Sequence, residues 1–305
     1  MCYEAGGPTL RANLKFAGMS TTLIFGASGQ LGQCLAQVAR ERATPGLVFL
    51  PEAQANILDP NGLAALFAAH RPAYVINCAA YTAVDKAEDE AEMARRINCD
   101  GVAHLARLCG EHGTVLIQIS TDFVFAGTGN QPLSETDETA PISVYGLTKL
   151  EGEQVIAGHT DRYFILRTSW LYSEFAGNFV KTMRKLGRER AELRVIWDQT
   201  GTPTYAIDLA GTILHLIETQ TQAFGLYHYS NEGLTSWYDF TAAIFELSGI
   251  TARLTPIRTA EYPTTAARPL YSVMDKTKIK TALGVAIPHW RASLAVCLGR
   301  LAAAE

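Results

Sequence analysis

A glycine-rich segment near the start of the chain restricts the possible folds more than any other feature. An apolar run at residues 22–25 leads into Gly26, and Gly29 and Gly32 follow before and within a helical pattern that begins near Leu31. This order of strand, tight turn and helix brings backbone amides to a helix N-terminus, where free N–H groups and the helix dipole attract phosphate. The spacing is G-x-x-G-x-x-G, and a tight turn without a ligand is the alternative. In this context we favour a nucleotide cofactor.

The alternation of strand and helix continues through the first half of the chain. Apolar runs at 47–50, 74–77 and 115–119 are separated by helical patterns at 59–70 and 87–111. Near-continuous apolar strands of this kind occur in parallel sheets that helices cover on both faces. We therefore predict an α/β fold: a Rossmann-like, doubly wound parallel sheet with a smaller C-terminal substrate-binding lobe.

The second half of the chain has shorter elements that are punctuated by prolines. We place the core of the dinucleotide-binding domain at residues 21–170. Residues 171–305 are expected to form mainly the smaller lobe, with some segments returning to the first domain. Residues 1–20 lack the apolar centre of a signal peptide and are interpreted as a disordered extension or as an upstream start, since Met19 lies just before the first strand. The elements predicted after Lys149 are a strand at 163–166 and helices at 179–188, 207–218 and 237–247.

Composition excludes several classes of protein. The formal charge of −4 without a long basic run argues against a nucleic-acid partner. No apolar run approaches the roughly 20 residues that span a bilayer. The six cysteines have irregular spacings and no C-x-x-C pair, which is typical of reduced core residues in a cytoplasmic protein. We expect a cytoplasmic protein with neither a membrane nor a nucleic-acid partner.

Tyr145 and Lys149 are the strongest candidates for proton transfer. A spacing of four residues places both side chains on one face of a helix. An ammonium beside a phenol favours the phenolate, so we expect Lys149 to lower the pKa of Tyr145 from its usual value of about 10. Tyr145 is the only one of twelve tyrosines with a lysine at that offset. A solvated helix face is the alternative interpretation of the pair.

Polar and small residues follow three predicted strands at the edge where ligands bind in such sheets. Thr121 ends the fourth strand, and its hydroxyl could contact both a substrate carbonyl oxygen and the Tyr145 phenol. A helix cap or an Asx turn at 120–122 is the alternative. The small residues at 77–82 leave room for a cofactor or simply allow close strand packing. Glu52 could hold a ribose 2′-hydroxyl, which would favour NADH, or could be an exposed glutamate without a role.

These motifs together resemble a known family. They lie at residues 26–32, 77–88, 120–127, 145–149, 167–172 and 198–204. The glycine turn and the Tyr–Lys pair resemble the extended short-chain dehydrogenase/reductases. The longer motifs resemble more closely the dTDP-4-dehydrorhamnose reductase family, over about residues 21–300. The resemblance implies that the chain uses NADPH or NADH to reduce the 4-keto group of dTDP-4-dehydro-L-rhamnose to dTDP-L-rhamnose. It implies a small nucleotide-sugar partner and allows a homodimer.

The resemblance also implies roles for individual residues. Tyr145 is the acid that protonates the new alkoxide, Lys149 holds the nicotinamide ribose, and Thr121 positions the substrate oxygen. Asn98 resembles an asparagine that supports such sites. The residues expected to bind the cofactor are Gly26, Gly29, Gln30, Leu31, Gly32, Glu52, Asn56, Ile57, Ala80, Tyr81, Thr82, Tyr145 and Lys149. Those expected to bind the substrate are Thr82, Thr121, Asp122, Trp170 and Arg268. For Trp170 core packing is the alternative, and for Arg268 a surface salt bridge.

Two positions depart from the family pattern. Some members hold magnesium at a subunit interface through glutamates, and Cys34 stands where one of these is expected. A neutral thiol is a poor ligand for a hard cation, so we predict no metal ligands and place magnesium and the associated dimer in doubt. Asn56 replaces an aspartate that contacts the adenosine in some relatives, which leaves the choice between NADH and NADPH open.

Two other functions are compatible with the same motifs. One is a non-catalytic regulatory subunit that resembles the methionine adenosyltransferase β subunit, which keeps the fold and the Tyr–Lys pair. The other is a nucleotide-sugar epimerase, which would retain and recycle its NAD. Trp170 favours the reductase over the regulatory subunit.

Overall fold

The computed structural model describes residues 20–304, so nearly all of the predicted N-terminal extension at residues 1–20 lies outside the described residues. Within the described range, no helix is long and apolar enough to cross a lipid bilayer. The strands, in chain order, are β1 (Thr22–Phe25), β2 (Leu47–Leu50), β3 (Tyr74–Asn77), β4 (Val115–Thr121), β5 (Tyr163–Thr168), β6 (Leu171–Tyr172), β7 (Glu192–Ile196), β8 (Thr200–Gly201), β9 (Thr204–Tyr205), β10 (Gly225–His228), β11 (Thr235–Ser236) and β12 (Arg253–Ile257).

Helices connect most of these strands. In chain order they are α1 (Gln30–Arg42), α2 (Pro60–His70), α3 (Val84–Asp89), α4 (Ala91–Arg95), α5 (Gly101–His112), α6 (Val144–Ala157), α7 (Phe179–Glu189), α8 (Ala206–Thr219), α9 (Trp237–Ser248), α10 (Thr277–Leu283) and α11 (Trp290–Ala304). The first three predicted strands have the predicted bounds, and α2 begins after an Asp59 side chain that caps its N-terminus.

Six parallel strands form the main sheet, in the spatial order β10-β5-β4-β3-β1-β2. The chain leaves β1 towards β2 and then returns to β3 on the other side, so the strand order reverses between β1 and β3. Ligands of doubly wound folds bind at the carboxyl ends of the strands beside such a reversal. The predicted α/β fold with a Rossmann-like parallel sheet is confirmed.

Apolar layers cover both faces of this sheet. On one face, Ile24 and Ile76 pack with α1 and α8 through residues such as Leu35 and Ile213. On the other face, the intervening strand residues, including Val75, pack against α2 and α5. Because alternate residues of one strand point to opposite faces, strands buried on both sides are apolar throughout.

A second, smaller core lies in the C-terminal half. Two pairs of short strands, β7 with β12 and β6 with β9, contribute residues to it, and β8 pairs with β11 in the same half. Its aromatic centre contains Tyr172, Phe240 and Trp290. Segments of this half also return to the main sheet, because β10 is one of its edge strands. The division at residue 170 remains a prediction.

The long helix that we predicted at 87–111 is interrupted. The structure replaces it with α3, α4, a π-helical turn at Arg96–Asp100, and α5. π-Helical turns insert one extra residue per turn and often occur at functional sites. Here the turn contains Asn98, whose side chain bonds both the backbone of Tyr81 and the Thr148 hydroxyl of α6.

Two glycines of α6 allow it to pack closely against its surroundings. A Cβ at Gly146 would lie 2.2 Å from the carbonyl oxygen of Phe123, and a Cβ at Gly152 would lie 2.1 Å from that of Asn98. Both distances are far below a van der Waals contact, and both neighbours are backbone atoms that cannot rotate away.

Gly152→Ala should therefore lower the free energy of unfolding by about 1–3 kcal/mol, because the new methyl group must displace the Asn98 carbonyl. Gly299→Ala is the matched control, since its Cβ would meet no atom within 4 Å on the exposed face of α11. The control should raise stability by roughly 0.5–1 kcal/mol through helix propensity. Urea unfolding measures both, and equal changes of the same sign would contradict the packing argument.

Candidate active site

A cavity of about 560 Å³ opens at the carboxyl edge of the main sheet, beside the reversal between β1 and β3. Ten of the residues that we predicted from the sequence line it: Gly29, Gln30, Leu31, Ala80, Thr82, Thr121, Asp122, Tyr145, Lys149 and Trp170. Residues from both halves of the chain therefore meet in a single site.

The glycine turn leaves the N-terminus of α1 free for an anion. Gly29 occupies the N-cap position but provides no side-chain cap, and the first turn of α1 contains no acidic residue. The helices α2, α6, α7 and α9, in contrast, each have a side chain that accepts a bond from their first turn. Uncapped amide groups at the mouth of a cavity suit a phosphate group. This end of the cavity fits the pyrophosphate of a dinucleotide.

Gly26 and Gly32 shape the turn without lining the cavity. Gly26 has a φ of +72°, and a Cβ there would lie 2.5 Å from the amide nitrogen of Ala79. A Cβ on Gly32 would lie 2.6 Å from the carbonyl oxygen of Gly26. The two glycines allow the loops after β1 and β3 to touch and α1 to start close to the sheet.

Helix α6 carries the Tyr–Lys pair to the opposite wall of the cavity. Its N-terminus is fixed by the Ser143 hydroxyl, which accepts from the Gly146 amide, and by Glu88, which accepts from the Val144 amide at 2.9 Å. Tyr145 lies in the first turn and packs edge-on against the Phe123 ring. Lys149 lies one turn further on, is 4% exposed, and donates from Nζ to the carbonyl oxygen of Ile119 at 2.6 Å.

The expectation that Lys149 lowers the pKa of Tyr145 is wrong. Burial raises the pKa of Tyr145 to about 12, a hydrogen bond with Thr121 opposes that rise, and the charge of Asp122 adds to it. The Lys149 amine is directed at the Ile119 carbonyl, and its charge does not lower the pKa of the phenol. Tyr145 is consequently a protonated phenol at neutral pH, which is the form that a proton donor requires.

Burial acts on Lys149 and Asp122 in the directions expected for buried charges. It lowers the pKa of Lys149 to about 8, against the attraction of Glu153 on the next turn of α6. It raises the pKa of Asp122 to about 6, against hydrogen bonds from Ser272 and Thr121. The Thr121 hydroxyl donates to Asp122 Oδ1 at 3.1 Å and accepts from the Phe123 amide, so the cap alternative for residues 120–122 is also realised.

Trp170 forms the side of the cavity that faces the smaller lobe. Its φ of +47° is unusual for a bulky residue. Its indole stacks on that of Trp237, with ring centroids 3.5 Å apart and planes at 9°. A Cβ on Gly201 would lie 2.7 Å from the Trp170 ring, so only glycine leaves room for this stack. Trp170 is thus both a packed aromatic and a wall of the site.

Besides Gly26 and Gly32, four more predicted cofactor residues lie outside the cavity lining. Glu52 and Asn56 are exposed in the loop after β2, and the Asn56 side chain accepts from the Leu58 amide. Ile57 is buried against the position of Gly101, and the Tyr81 hydroxyl donates to Glu90 at 2.6 Å. Their contacts with a cofactor remain predictions.

Arg268 lies at a second cavity, of about 930 Å³, in the smaller lobe. Its guanidinium donates to both carboxylate oxygens of Asp85, at 2.6 and 3.1 Å, and this partner holds the pKa of Asp85 below its usual value. The ion pair matches the alternative that we gave for Arg268. A contact between Arg268 and the substrate diphosphate remains a prediction.

Three side chains near the site were missed in the sequence. Asn178 caps α7 and donates to the Gln30 side chain at 2.9 Å, which ties the smaller lobe to the glycine turn. Trp237 supports Trp170, and Glu153 forms a buried ion pair with Arg167 behind Lys149. Of these three, only Glu153 could have been found from the sequence, because its i+8 spacing from Tyr145 places it on the same face of α6.

No group of three or more His, Cys, Asp or Glu side chains within residues 20–304 is arranged to hold a metal ion. Cys34 is buried in α1, and burial raises its pKa to about 12, while a hydrogen bond with Ser173 opposes the rise. A neutral buried thiol does not suit magnesium.

The sequence and the fold match known proteins along almost the whole chain. A family model described as "RmlD substrate binding domain" matches residues 19–303. The dTDP-4-dehydrorhamnose reductase of Aggregatibacter actinomycetemcomitans is 37% identical over 286 residues, which cover 90% of this chain and 97% of the relative. A crystal structure of a dTDP-4-dehydrorhamnose reductase from Clostridium acetobutylicum is 39% identical with a TM-score of 0.89 and covers 92% of this chain and 99% of that one. The structure of a reductase of the same name from Bacillus anthracis, in complex with NADP, is 37% identical with a TM-score of 0.88, over 92% and 99% of the two chains.

The fold, the uncapped glycine turn and the Tyr–Lys pair define an oxidoreductase of the extended short-chain dehydrogenase/reductase class. Within that class, the family model and the relatives agree over nine-tenths of the chain or more. The chain belongs to the dTDP-4-dehydrorhamnose reductase family.

The burial of Lys149 should make stability depend on pH. The unfolded state holds the lysine proton up to its ordinary pKa of 10.5, whereas the folded state releases it near 8, so raising the pH through this window favours the folded form. Lys149→Met removes this term. Its free energy of unfolding relative to the unmodified protein should fall by roughly 2 kcal/mol between about pH 7 and pH 10.

Urea unfolding at several pH values measures this difference. Lys185→Met, at an exposed lysine of α7, is the control for replacing an amine with a thioether. A difference between Lys149→Met and the unmodified protein that stays constant over this pH range would show that the Lys149 amine is not buried as a cation.

Proposed function

We propose that this protein reduces the 4-keto group of dTDP-4-dehydro-L-rhamnose to dTDP-L-rhamnose and oxidises NADPH or NADH. The observation that carries the proposal is the meeting of Thr121, Tyr145 and Lys149 with the uncapped glycine turn and Trp170 in one cavity. The names of the relatives, each covered over nearly its whole length, support the same substrate. An NADP complex of the Bacillus anthracis relative supports a nicotinamide cofactor.

The residues of the cavity divide into two groups in this proposal. Gly29, Gln30 and Leu31 bind the pyrophosphate through the N-terminus of α1, and Ala80 and Thr82 line the rest of the cofactor cleft. When bound, the nicotinamide supplies the hydride that reduces the substrate carbonyl carbon. NADPH and NADH are both candidates, since the exposed Glu52 and Asn56 are the two residues that we expect at the adenosine and they do not decide between a 2′-hydroxyl and a 2′-phosphate.

Proton delivery falls to Tyr145. Its phenol is protonated at neutral pH even at the ordinary pKa of about 10, burial strengthens this preference, and a hydrogen bond joins it to Thr121. A substrate carbonyl oxygen bonded to both hydroxyls receives the Tyr145 proton as negative charge develops on it. The phenolate that results is stabilised by the Lys149 ammonium and regains a proton from solvent. Lys149 must leave the Ile119 carbonyl, or share its protons with it, to hold the nicotinamide ribose.

The substrate extends from this point towards the smaller lobe. Trp170 provides the part of its indole that Trp237 leaves uncovered, and Asp122 lies beside Thr121 at the same wall. We propose that these residues contact the deoxysugar. A cytoplasmic location, which the reduced cysteines favour, and a homodimer, which the resemblance allows but Cys34 places in doubt, are further parts of the proposal.

Purified protein mixed with NADPH and dTDP-4-dehydro-L-rhamnose should lose one nicotinamide absorbance equivalent per sugar reduced. A regulatory subunit would leave the absorbance unchanged, and an epimerase would recycle its cofactor without net consumption. Either result would exclude the reductase. Repeating the assay with NADH determines the cofactor preference.

Tyr145→Phe should lower kcat by about 10²–10⁴-fold and leave the dissociation constant of NADPH nearly unchanged, because the phenol acts in the proton-transfer step. Lys149→Ala should weaken both cofactor binding and turnover. Tyr163→Phe, at a half-buried tyrosine at the start of β5, is the matched control and should retain full activity. Retained turnover in Tyr145→Phe would mean that another group delivers the proton.

A further inference from the structure

Helix α6 presents a third ionisable residue on the face that carries Tyr145 and Lys149. Glu153 follows Lys149 by one turn and is almost completely buried. Its carboxylate accepts from the Ser120 hydroxyl at 2.5 Å and from Arg167, at 2.9 Å from Nε and 2.6 Å from Nη2. Neither the proposed proton transfer nor the cofactor contacts use this residue.

The partners of Glu153 lie directly behind the site. Ser120 precedes Thr121 on β4, and it is the register neighbour of Arg167 on β5. One residue earlier on β4, the Ile119 carbonyl accepts from Lys149. Two consecutive turns of α6 are therefore bonded to two consecutive residues of β4. The same strand then supplies the Thr121 hydroxyl that meets the Tyr145 phenol.

Stability alone does not explain a buried ion pair between Glu153 and Arg167. Removing two charges from water costs several kcal/mol per ion, and a well-packed apolar pair of similar volume is often as stable. Arg167 is buried with the Phe125 ring 5.0 Å from its guanidinium and with His228 next to it, so the pair is far from solvent. A charge held there is available to act on Lys149.

We propose that Glu153 is a positioning residue of the reductase site: its bonds to Ser120 and Arg167 hold α6 against β4, and its negative charge stabilises the Lys149 ammonium. This rests on the proposed function, in which Lys149 acts as a cation. The anchor fixes the approach of Tyr145 to Thr121, and the charge opposes the loss of the Lys149 proton on burial.

Among the ionisable groups of this region, Lys149 is the one whose charge changes in mildly alkaline solution. The titratable and charged groups that face it or its partners are Cys78 after β3, Asp122 after β4, Tyr145 and Glu153 on α6, Arg167 on β5 and His228 on β10. Burial raises the pKa of Cys78 and of Tyr145 to about 12 and lowers that of His228 to about 3. Asp122, with a pKa of about 6, stays ionised throughout the alkaline range.

The dissociation constant of NADPH, read from nicotinamide fluorescence between about pH 7 and pH 10, tests the charge. Binding should weaken as Lys149 loses its proton, and Lys149→Met should lack this pH dependence. Glu153→Gln keeps the shape of the side chain and removes its charge. NADPH binding by this variant should therefore begin to weaken at a pH at least about one unit lower than in the unmodified protein. Glu151→Gln is the matched control on the same helix, because Glu151 pairs with Arg95 on the other side, and its curve should follow that of the unmodified protein.

Two further variants test the anchor and the charge separately from Glu153→Gln. Glu153→Asp retains the charge but shortens the anchor, so its binding curve should stay at the original pH while kcat falls at least tenfold. If Glu153→Gln does not fold, Glu153→Gln/Arg167→Gln leaves neither member of the ion pair without its counter-charge, and its curve should also move to lower pH, by less because a neighbouring cation is lost as well.

A Glu153→Gln curve at the original pH would overturn the electrostatic role, and full turnover in Glu153→Asp would overturn the anchor. The binding assay needs no sugar substrate. Failure of the unmodified protein to reduce the 4-ketosugar would therefore exclude the proposed function without deciding the effect of Glu153 on Lys149.

Discussion

The contact between α6 and the carboxyl half of β4 is the constraint on which the site depends. The helix supplies the Tyr145 phenol and the strand supplies the Thr121 hydroxyl, so an error in their separation would displace both groups to which we assign proton transfer. Glycines at 146 and 152 let the helix approach backbone carbonyls at distances that any larger residue would exclude. Two hydrogen bonds then fix the position of the helix along the strand, one from Lys149 to Ile119 and one from Ser120 to Glu153.

This arrangement places three ionised side chains, Lys149, Glu153 and Arg167, in the interior. Their desolvation opposes folding, and the apolar layers on both faces of the sheet offset it. The same desolvation is useful for chemistry. In the proposed reaction, the dry environment keeps the Tyr145 phenol protonated until charge develops on the substrate oxygen, and the Lys149 ammonium would act on that charge with little screening. Stability and reactivity therefore make opposite demands on the same residues.

Local sequence patterns predicted most of the fold, because most of its elements depend on residues that are close together in the sequence. The apolar strands, the glycine turn and the Asp59-Pro60 helix start all have short-range causes. The π-helical turn at Arg96–Asp100 could not be foreseen, since Asn98 is held by Tyr81 and Thr148, which are distant in sequence. The direction of the Tyr145 pKa shift was wrong for a similar reason. Spacing brings Lys149 to the correct face, but the depth of burial and the Ile119 carbonyl are tertiary features. The Arg268–Asp85 ion pair joins residues 183 positions apart.

The smaller lobe enters the site through a strained residue. Trp170 has a positive φ, which costs of order 1–3 kcal/mol for a bulky side chain and persists only where its surroundings impose it. Here the surroundings are the Trp237 stack and the space over Gly201, while the Trp237 N–H is held by Gln199 at 3.1 Å. The stacked indoles stand between the cavity at Tyr145 and the larger cavity beside Arg268. A nucleotide sugar that occupied both cavities would have to pass this stack, so the position of the two indoles would limit how far the sugar reaches towards Tyr145.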